Sequence, residues 1–153
     1  MGLQPAATCG SSLPRIGAEL ALAAEQARLR AYAPYSGFAV GAAVRTSNGL
    51  IYAGCNVENA SYGLTICAER VAICLAVSLG ERRIDALAVS AQTPAYPCGA
   101  CLQVLSEFAG PDCWIFVARA GVVEEATTLG RLLPKAFALQ REGVGSCTCG
   151  PNQ

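Results

Sequence analysis

The chain has 153 residues, a length typical of one domain. Hydrophobic residues make up 53% and charged residues 14%, with eleven basic against eleven acidic side chains and a formal net charge of zero. This composition excludes an intrinsically disordered chain and disfavours nucleic acid as the main partner, because such binders usually carry a basic excess. Neither a membrane-spanning run nor a secretory signal is evident, so we expect a cytoplasmic protein that does not bind membranes.

Nine elements are predicted along the chain, in the order α-β-β-α-β-α-β-β-α. The first helix begins near Pro14, since apolar residues then recur every three or four positions as far as Ala31. Asn48-Gly49 between two β-type runs predicts a hairpin. The predicted strands cover 38–45, 50–55, 84–91, 113–118 and 122–126. The later helices cover 67–79 and 97–108, and short helical turns interrupted by Pro134 cover 129–139.

Helices that alternate with buried strands predict an α/β fold, a three-layer α/β/α sandwich with a central mixed five-stranded sheet. The opening hairpin should be antiparallel, and strands joined through helices should be parallel. Residues 1–12 are expected to form a flexible leader, residues 13–140 the catalytic domain and residues 141–153 a flexible tail.

Nine cysteines and no histidine are the most informative counts. In a chain without an evident export signal, these thiols favour metal binding or thiol chemistry over disulfides. The absence of histidine excludes every mechanism that uses a histidine base or ligand. A general base must therefore be a carboxylate, a tyrosine or Lys135, which is the one lysine.

Two cysteine groups stand where helices are predicted to begin. Cys67, Cys98 and Cys101 could supply three thiolates to zinc and leave the fourth position for water, as in a catalytic zinc site. Helix N-termini favour thiolates over thiols. Glu69 lies two residues after Cys67 and could reach that water without binding the metal, which makes it the candidate proton shuttle.

The order Cys-x-Glu followed by Pro-Cys-x-x-Cys resembles the signature of zinc deaminases. With cysteine as its first ligand, the chain is similar to the small three-cysteine cytidine deaminases of pyrimidine salvage. The resemblance spans roughly residues 14–139. It is carried by the segments 33–42 (APYSGFAVGA), 54–62 (GCNVENASY), 67–70 (CAER), 97–103 (PCGACLQ) and 132–137 (LLPKAF).

The resemblance implies hydrolytic deamination of cytidine and 2′-deoxycytidine to the uridines, with release of ammonia. It implies one zinc ion per chain on Cys67, Cys98 and Cys101, with Glu69 as the catalytic acid and base. Arg70 would donate hydrogen bonds to the thiolates and offset their excess negative charge. Without the family, Arg70 would be interpreted as an ordinary surface arginine.

The same resemblance assigns the substrate-binding residues. Asn56 and Glu58 correspond to a clamp for the sugar hydroxyls, and Phe38 corresponds to an aromatic residue packed against the base. Ala68 would offer its backbone N–H to the pyrimidine carbonyl. From the residues alone, the plainer interpretations are a polar loop for the first two and a core position for Phe38.

Oligomerisation is also implied. Low charge in a chain of this size suggests apolar surface that a partner would cover. In the family, residues that correspond to Tyr62 and Phe137 contribute to the site across an interface, which implies a homotetramer with shared active sites. The simpler alternative is that Phe137 pins the last turns onto the core of its own chain.

The remaining cysteines carry weaker signals. Cys55, Cys74 and Cys113 are expected to act as small buried hydrophobic residues. Cys147 and Cys149, with a third thiol near the N-terminus, could in principle hold a second metal, but no fourth ligand is evident and a mobile tail is favoured.

The chain departs from the family pattern at two positions near the second cysteine group. Leu102 stands where arginine is common, and Tyr96 where serine is common. Gln103 belongs to the matching segment, but the sequence suggests no mechanistic role for it.

Three other functions remain open from the sequence. A structural zinc module would need a fourth protein ligand, and only Glu69 is near. A deaminase of transfer RNA or single-stranded DNA would need a basic channel, which zero net charge disfavours. A deaminase of a nucleoside antibiotic such as blasticidin S would share the zinc chemistry, and only the predicted clamp favours a plain nucleoside.

Overall fold

The computed structural model describes residues 13–139. The predicted leader, the tail from 141 and the cysteines at 9, 147 and 149 lie outside them. The helices are α1 (Leu13–Arg28), α2 (Ala68–Ser78), α3 (Gly99–Ser106) and α4 (Leu129–Leu132), with a 3₁₀ turn at Tyr62–Leu64. The strands are β1 (Val40–Thr46), β2 (Ile51–Cys55), β3 (Ile84–Ala91), β4 (Trp114–Arg119) and β5 (Val122–Thr128).

The five strands form one mixed sheet in the order β2-β1-β3-β4-β5, which confirms the predicted sheet. β3 and β4 are parallel, and the other neighbouring pairs are antiparallel. The predicted hairpin is present between β1 and β2, where Gly49 has φ +88°. No helix within residues 13–139 is long and apolar enough to cross a bilayer.

Helices cover both faces of the sheet, as the three-layer prediction requires. On one face Leu20 and Ala24 of α1 pack with Phe116 of β4. On the other face Ile73 of α2 and Leu105 of α3 pack with strand residues from the middle of the sheet. The two hydrophobic clusters therefore sit above and below the sheet.

Two glycines allow the helices to approach the strands closely. A Cβ atom at Gly41 would lie 1.9 Å from the Ala24 carbonyl oxygen of α1, and one at Gly54 would lie 2.7 Å from Cγ1 of Val71 in α2. Any larger side chain there would push the helix away from the sheet. The second contact matters for the site, because α2 begins at its N-cap, Cys67.

Some predicted boundaries and one burial assignment were wrong. The first helix ends at Arg28 rather than Ala31. At the other end of the fold, the helical turns are interrupted near Pro134 as expected, with α4 covering Leu129–Leu132. Cys74 is exposed, not buried, since it lies off the stripe of α2 that packs on the sheet. Cys113 is buried as expected, and Cys55 is half-buried.

Candidate active site

Two helix N-termini meet at one edge of the sheet. β2 and β3 run in the same direction, since each is antiparallel to β1 between them. The chain leaves both strands at the same edge and enters α2 and α3 there. Cys67 is the N-cap of α2, Cys98 is the N-cap of α3, and Cys101 lies in the first turn of α3. The fold thus brings the two predicted cysteine groups together.

The three sulfur atoms form a compact cluster. The Sγ atoms of Cys67, Cys98 and Cys101 all lie within 4.8 Å of one another, and those of Cys98 and Cys101 are 3.5 Å apart. Three sulfurs bound tetrahedrally to one zinc ion, each at about 2.3 Å, would be roughly 3.8 Å apart. The spacing therefore fits a single zinc ion.

The ionisation of the thiols also fits a bound cation. Burial, followed by the Glu69 carboxylate, raises the pKa of the Cys101 thiol. Burial opposes ionisation of Cys98 as well, but N–H groups of Cys101 and Ala100 donate to its sulfur and hold its pKa below the ordinary value. Three thiolates in one cluster repel one another, and a divalent cation removes that repulsion. We conclude that this donor set suits zinc.

Arg70 lies against the sulfur cluster rather than in solvent. Its Nη2 atom donates to the Thr65 carbonyl oxygen at 3.3 Å and to the Cys67 sulfur at 3.5 Å. The neighbouring sulfurs, that of Cys67 first, raise the pKa of the guanidinium. Its Nε atom is buried and has no hydrogen-bond partner among the described residues. A positive charge is thus held beside the sulfurs.

Glu69 is buried beside the same cluster. The residue is 5% exposed and faces a cleft that Cys67 and Cys98 also line. Burial raises the pKa of its carboxyl, while its own backbone N–H, Cys101 and the charge of Arg70 oppose the rise. The structure therefore places a carboxylate, largely shielded from water, next to the three sulfurs.

The cleft above Glu69 has a volume of about 300 Å³. The sheet closes one side through Val89, and the loops before α2 and α3 form the walls. Its other lining residues are Ser36, Phe38, Val40, Asn56, Glu58, Thr65, Cys67, Ala68, Ala95, Tyr96 and Cys98. Phe38, Asn56, Glu58 and Ala68, which the sequence predicted to bind substrate, are therefore all at this cleft.

Asn56 has a structural task as well as a place in the cleft. Its Oδ1 accepts from the Val40 N–H at 2.9 Å, and its Nδ2 donates to the Phe38 carbonyl oxygen at 2.9 Å. An amide has two donors and two acceptor positions, so one of each remains for a ligand. Asn56 thereby fixes the backbone from the cleft-lining Phe38 to Val40.

Glu58 stands between this cleft and an adjoining cavity of about 330 Å³. It accepts hydrogen bonds from the backbone N–H groups of Tyr35 and Ser36, at 2.8 and 3.2 Å, and from the Ser36 hydroxyl. These donors, the hydroxyl first, hold the pKa of the carboxyl below its usual range. Tyr62 lines the adjoining cavity with its ring centroid 5.9 Å from that of Tyr35.

Tyr96 is a cleft residue to which sequence reasoning gave no side-chain role. The residue lines the cleft two positions before Cys98, and its hydroxyl donates to the carboxylate of Glu125 in β5. The two residues are 29 positions apart, so no local pattern could have paired them.

Phe137 is not brought to the cleft of its own chain. The residue is 72% exposed and does not line either cavity described above. Its backbone is held by the side chain of Gln103, whose Nε2 donates to the Phe137 carbonyl oxygen at 2.8 Å. The Phe137 N–H donates in return to Oε1 of Gln103 at 3.3 Å.

A buried carboxylate beside a cysteine cluster with an open side is what a metal-dependent hydrolase requires. Comparison with known proteins identifies the class of hydrolase. The family model of the cytidine and deoxycytidylate deaminase zinc-binding region matches residues 17–117. The chain belongs to this family.

Individual relatives agree with the assignment. A cytidine deaminase from Sporosarcina psychrophila is 48% identical over 116 residues, which cover 74% of this chain and 85% of that protein. The crystal structure of cytidine deaminase from Burkholderia pseudomallei matches with 47% identity and a TM-score of 0.74, over 78% of this chain and 97% of that one. A blasticidin-S deaminase from Bacillus cereus is 34% identical over 109 residues, or 64% of this chain and 76% of that protein.

Proposed function

We propose that the protein catalyses the hydrolytic deamination of cytidine and 2′-deoxycytidine to the corresponding uridines and ammonia. The observation that carries the proposal is the position of Glu69, which is buried beside three clustered sulfurs at a cleft of about 300 Å³. The 48% identical relative named cytidine deaminase supports the same substrate.

Each residue near the sulfurs has a distinct task. Zinc held by Cys67, Cys98 and Cys101 would lower the pKa of a coordinated water so that it can attack the pyrimidine near neutral pH. Glu69 accepts one proton of the water and delivers it to ring N3 while oxygen adds at C4. It then takes the remaining proton from that oxygen and gives it to the amine, which leaves as ammonia when the C4–N bond breaks and the C4 carbonyl forms. Arg70 places positive charge beside the thiolates, which limits the electron density that they donate.

The substrate is held by groups along the cleft. Ala68, the first residue of α2, offers its backbone N–H to the pyrimidine carbonyl, and Phe38 packs against the base. Asn56 and Glu58 bind the sugar hydroxyls. Because its donors keep Glu58 ionised, the carboxylate is a strong acceptor for a hydroxyl group.

The charges around the cleft favour a nucleoside over a nucleotide. Glu58 and Glu69 are the carboxyl groups on the lining, and hydrogen-bond donors hold the pKa of Glu58 below its usual range. No lysine or arginine lines the cleft or the adjoining cavity within the described residues. A 5′-phosphate would meet negative charge there without a cationic partner. We therefore assign cytidine rather than deoxycytidylate as the substrate.

We also propose that the working unit is a cytoplasmic homotetramer with shared active sites. The exposed rings of Phe137 and Tyr62, which are 72% and 74% exposed, are apolar surface suited to contact with a second copy. A cluster of reduced thiols favours a reducing compartment. Light scattering of the active protein would test the assembly, and a fully active monomer at assay concentration would refute it.

The reaction is tested by following the ultraviolet absorbance of cytidine with purified protein. We expect cytidine to be consumed, a zinc chelator to stop the reaction, and added zinc to restore it. Deoxycytidylate in a parallel assay should react far more slowly. Consumption of cytidine that is insensitive to removal of all transition metal would refute the proposal.

A nucleoside antibiotic is the second candidate substrate, because a blasticidin-S deaminase is among the relatives. The same assay with blasticidin S separates the two. A kcat/KM for blasticidin S above that for cytidine would reverse the assignment.

A further inference from the structure

The chain after α4 is attached to the zinc-binding helix by one amide side chain. Gln103 lies on α3, two residues after Cys101. Its Nε2 donates to the carbonyl oxygen of Phe137 and its Oε1 accepts from the N–H of the same residue. Gln103 thus pairs with Phe137 as a neighbouring strand would, through one donor and one acceptor.

Gln103 is itself held in place on α3 by its contacts with Ser106. The Ser106 hydroxyl donates to the Gln103 carbonyl oxygen at 2.7 Å, and Nε2 of Gln103 also lies 3.4 Å from the Ser106 oxygen. At the N-terminal end of α3, Cys98 is the N-cap residue and Cys101, in the first turn, is buried in the core. The position of the Phe137 backbone is therefore set relative to the sulfur cluster.

Phe137 is exposed to solvent although its backbone is held by hydrogen bonds. The backbone is bonded in both directions, yet the residue is 72% exposed. An aromatic ring left in solvent on a fixed backbone is suited to insertion into a pocket of another molecule at little cost in conformational entropy. In the proposed tetramer, the pocket that the ring would enter is the substrate cleft of a neighbouring copy.

We propose that Gln103 is a positioning residue for substrate binding: by fixing the Phe137 backbone to α3, it sets where the Phe137 ring enters the neighbour's cleft. The inference rests on the proposed shared site. It assigns a role to a residue that touches neither the substrate nor the metal, and it links the metal helix of one subunit to the cleft of the next.

Gln103→Glu tests the inference with almost no change in shape. The variant keeps the acceptor for the Phe137 N–H but loses the donor and places a carboxylate against the Phe137 carbonyl oxygen. Loss of a hydrogen bond of about 1 kcal/mol corresponds to roughly fivefold in affinity, so we expect KM for cytidine to rise about fivefold or more. We expect kcat and zinc content to stay near wild type, because neither Glu69 nor the sulfurs are disturbed.

Two further readouts separate positioning from a general structural effect. Gln103→Glu combined with Phe137→Ala should bind cytidine no worse than Phe137→Ala alone, since Gln103 acts through the ring. The amide of Phe137 should also exchange its hydrogen faster in Gln103→Glu, and chymotrypsin should cut more readily after Phe137. Gln26→Glu on the exposed side of α1 is the control for the added charge and should leave all these values unchanged.

Failure of the role proposed for Gln103 can be distinguished from failure of the proposed function. An active wild type with an unchanged KM in Gln103→Glu would overturn the inference and leave the proposed function intact. A fall in zinc content together with kcat would also overturn it, because Gln103 would then support α3 rather than position Phe137. A wild type that does not deaminate cytidine would refute the proposed function and this inference with it.

Discussion

Replacing Glu69 with glutamine separates the proton chemistry from the structure. The amide is nearly isosteric with the carboxyl, and the site buries Glu69 to 5% exposure, so the side chain has little room to move. The change removes the group that accepts the water's proton. It leaves the three sulfur ligands untouched, and burial favours a neutral side chain at this position.

The expected loss of activity follows from what else lines the cleft. Glu58 is the other carboxylate there, and it is already bonded to two N–H groups and a hydroxyl. Tyr96 also lines the cleft, but its hydroxyl donates to the Glu125 carboxylate, which leaves Glu69 as the candidate base among the described cleft residues. One acid–base group typically contributes about 10²–10⁴ in rate, and Glu69 serves several transfers, so we expect kcat to fall by about 10⁴ or more, or roughly 5.5 kcal/mol in the barrier.

The assay is the loss of cytidine absorbance, with zinc content and circular dichroism measured on the same samples. Glu19→Gln is the matched control, because Glu19 is a solvent-exposed glutamate that pairs with Arg15 on α1. It should behave as wild type. Glu69→Gln with full zinc content and activity within tenfold of wild type would show that another group is the base.

Three other variants test the metal, the sugar site and the interface. Cys98→Ala removes one of three sulfurs and should lower zinc content below one per chain and reduce the melting temperature; full zinc content would contradict the ligand set. Glu58→Gln should weaken the use of cytidine far more than any residual use of free cytosine, because only the nucleoside has a sugar to bind, and an equal loss for both would remove Glu58 from the sugar site. Phe137→Ala should raise KM, and weaken assembly, while each chain keeps its zinc; unchanged kinetics would mean that the ring does not reach a substrate.

Features encoded over short stretches of sequence were predictable. The strand expected at 84–91 is Ile84–Ala91, because a continuous apolar run between turn residues defines its own limits. The two cysteine groups were identified by spacing, and the fold placed them together because β2 and β3 run in the same direction. Spacing along the chain therefore predicted the cluster of three cysteines.

Features that depend on packing between distant segments were not predictable. Gln103 and Phe137 are 34 positions apart, and Tyr96 and Glu125 are 29 apart, so neither pairing leaves a periodic or local signal. Cys74 directly follows the buried Ile73, but it lies outside the stripe of α2 that meets the sheet and is therefore exposed.

The central claim is that oxygen from water replaces the amino group of cytidine in this cleft. Mass spectrometry of the uridine formed in water enriched in the heavy oxygen isotope tests it most directly, with ammonia measured in the same reaction. We predict that each uridine molecule carries one heavy oxygen atom on its ring and that one ammonia is released with it. Uridine without heavy oxygen, or loss of cytidine without an equal release of ammonia, would contradict hydrolytic deamination.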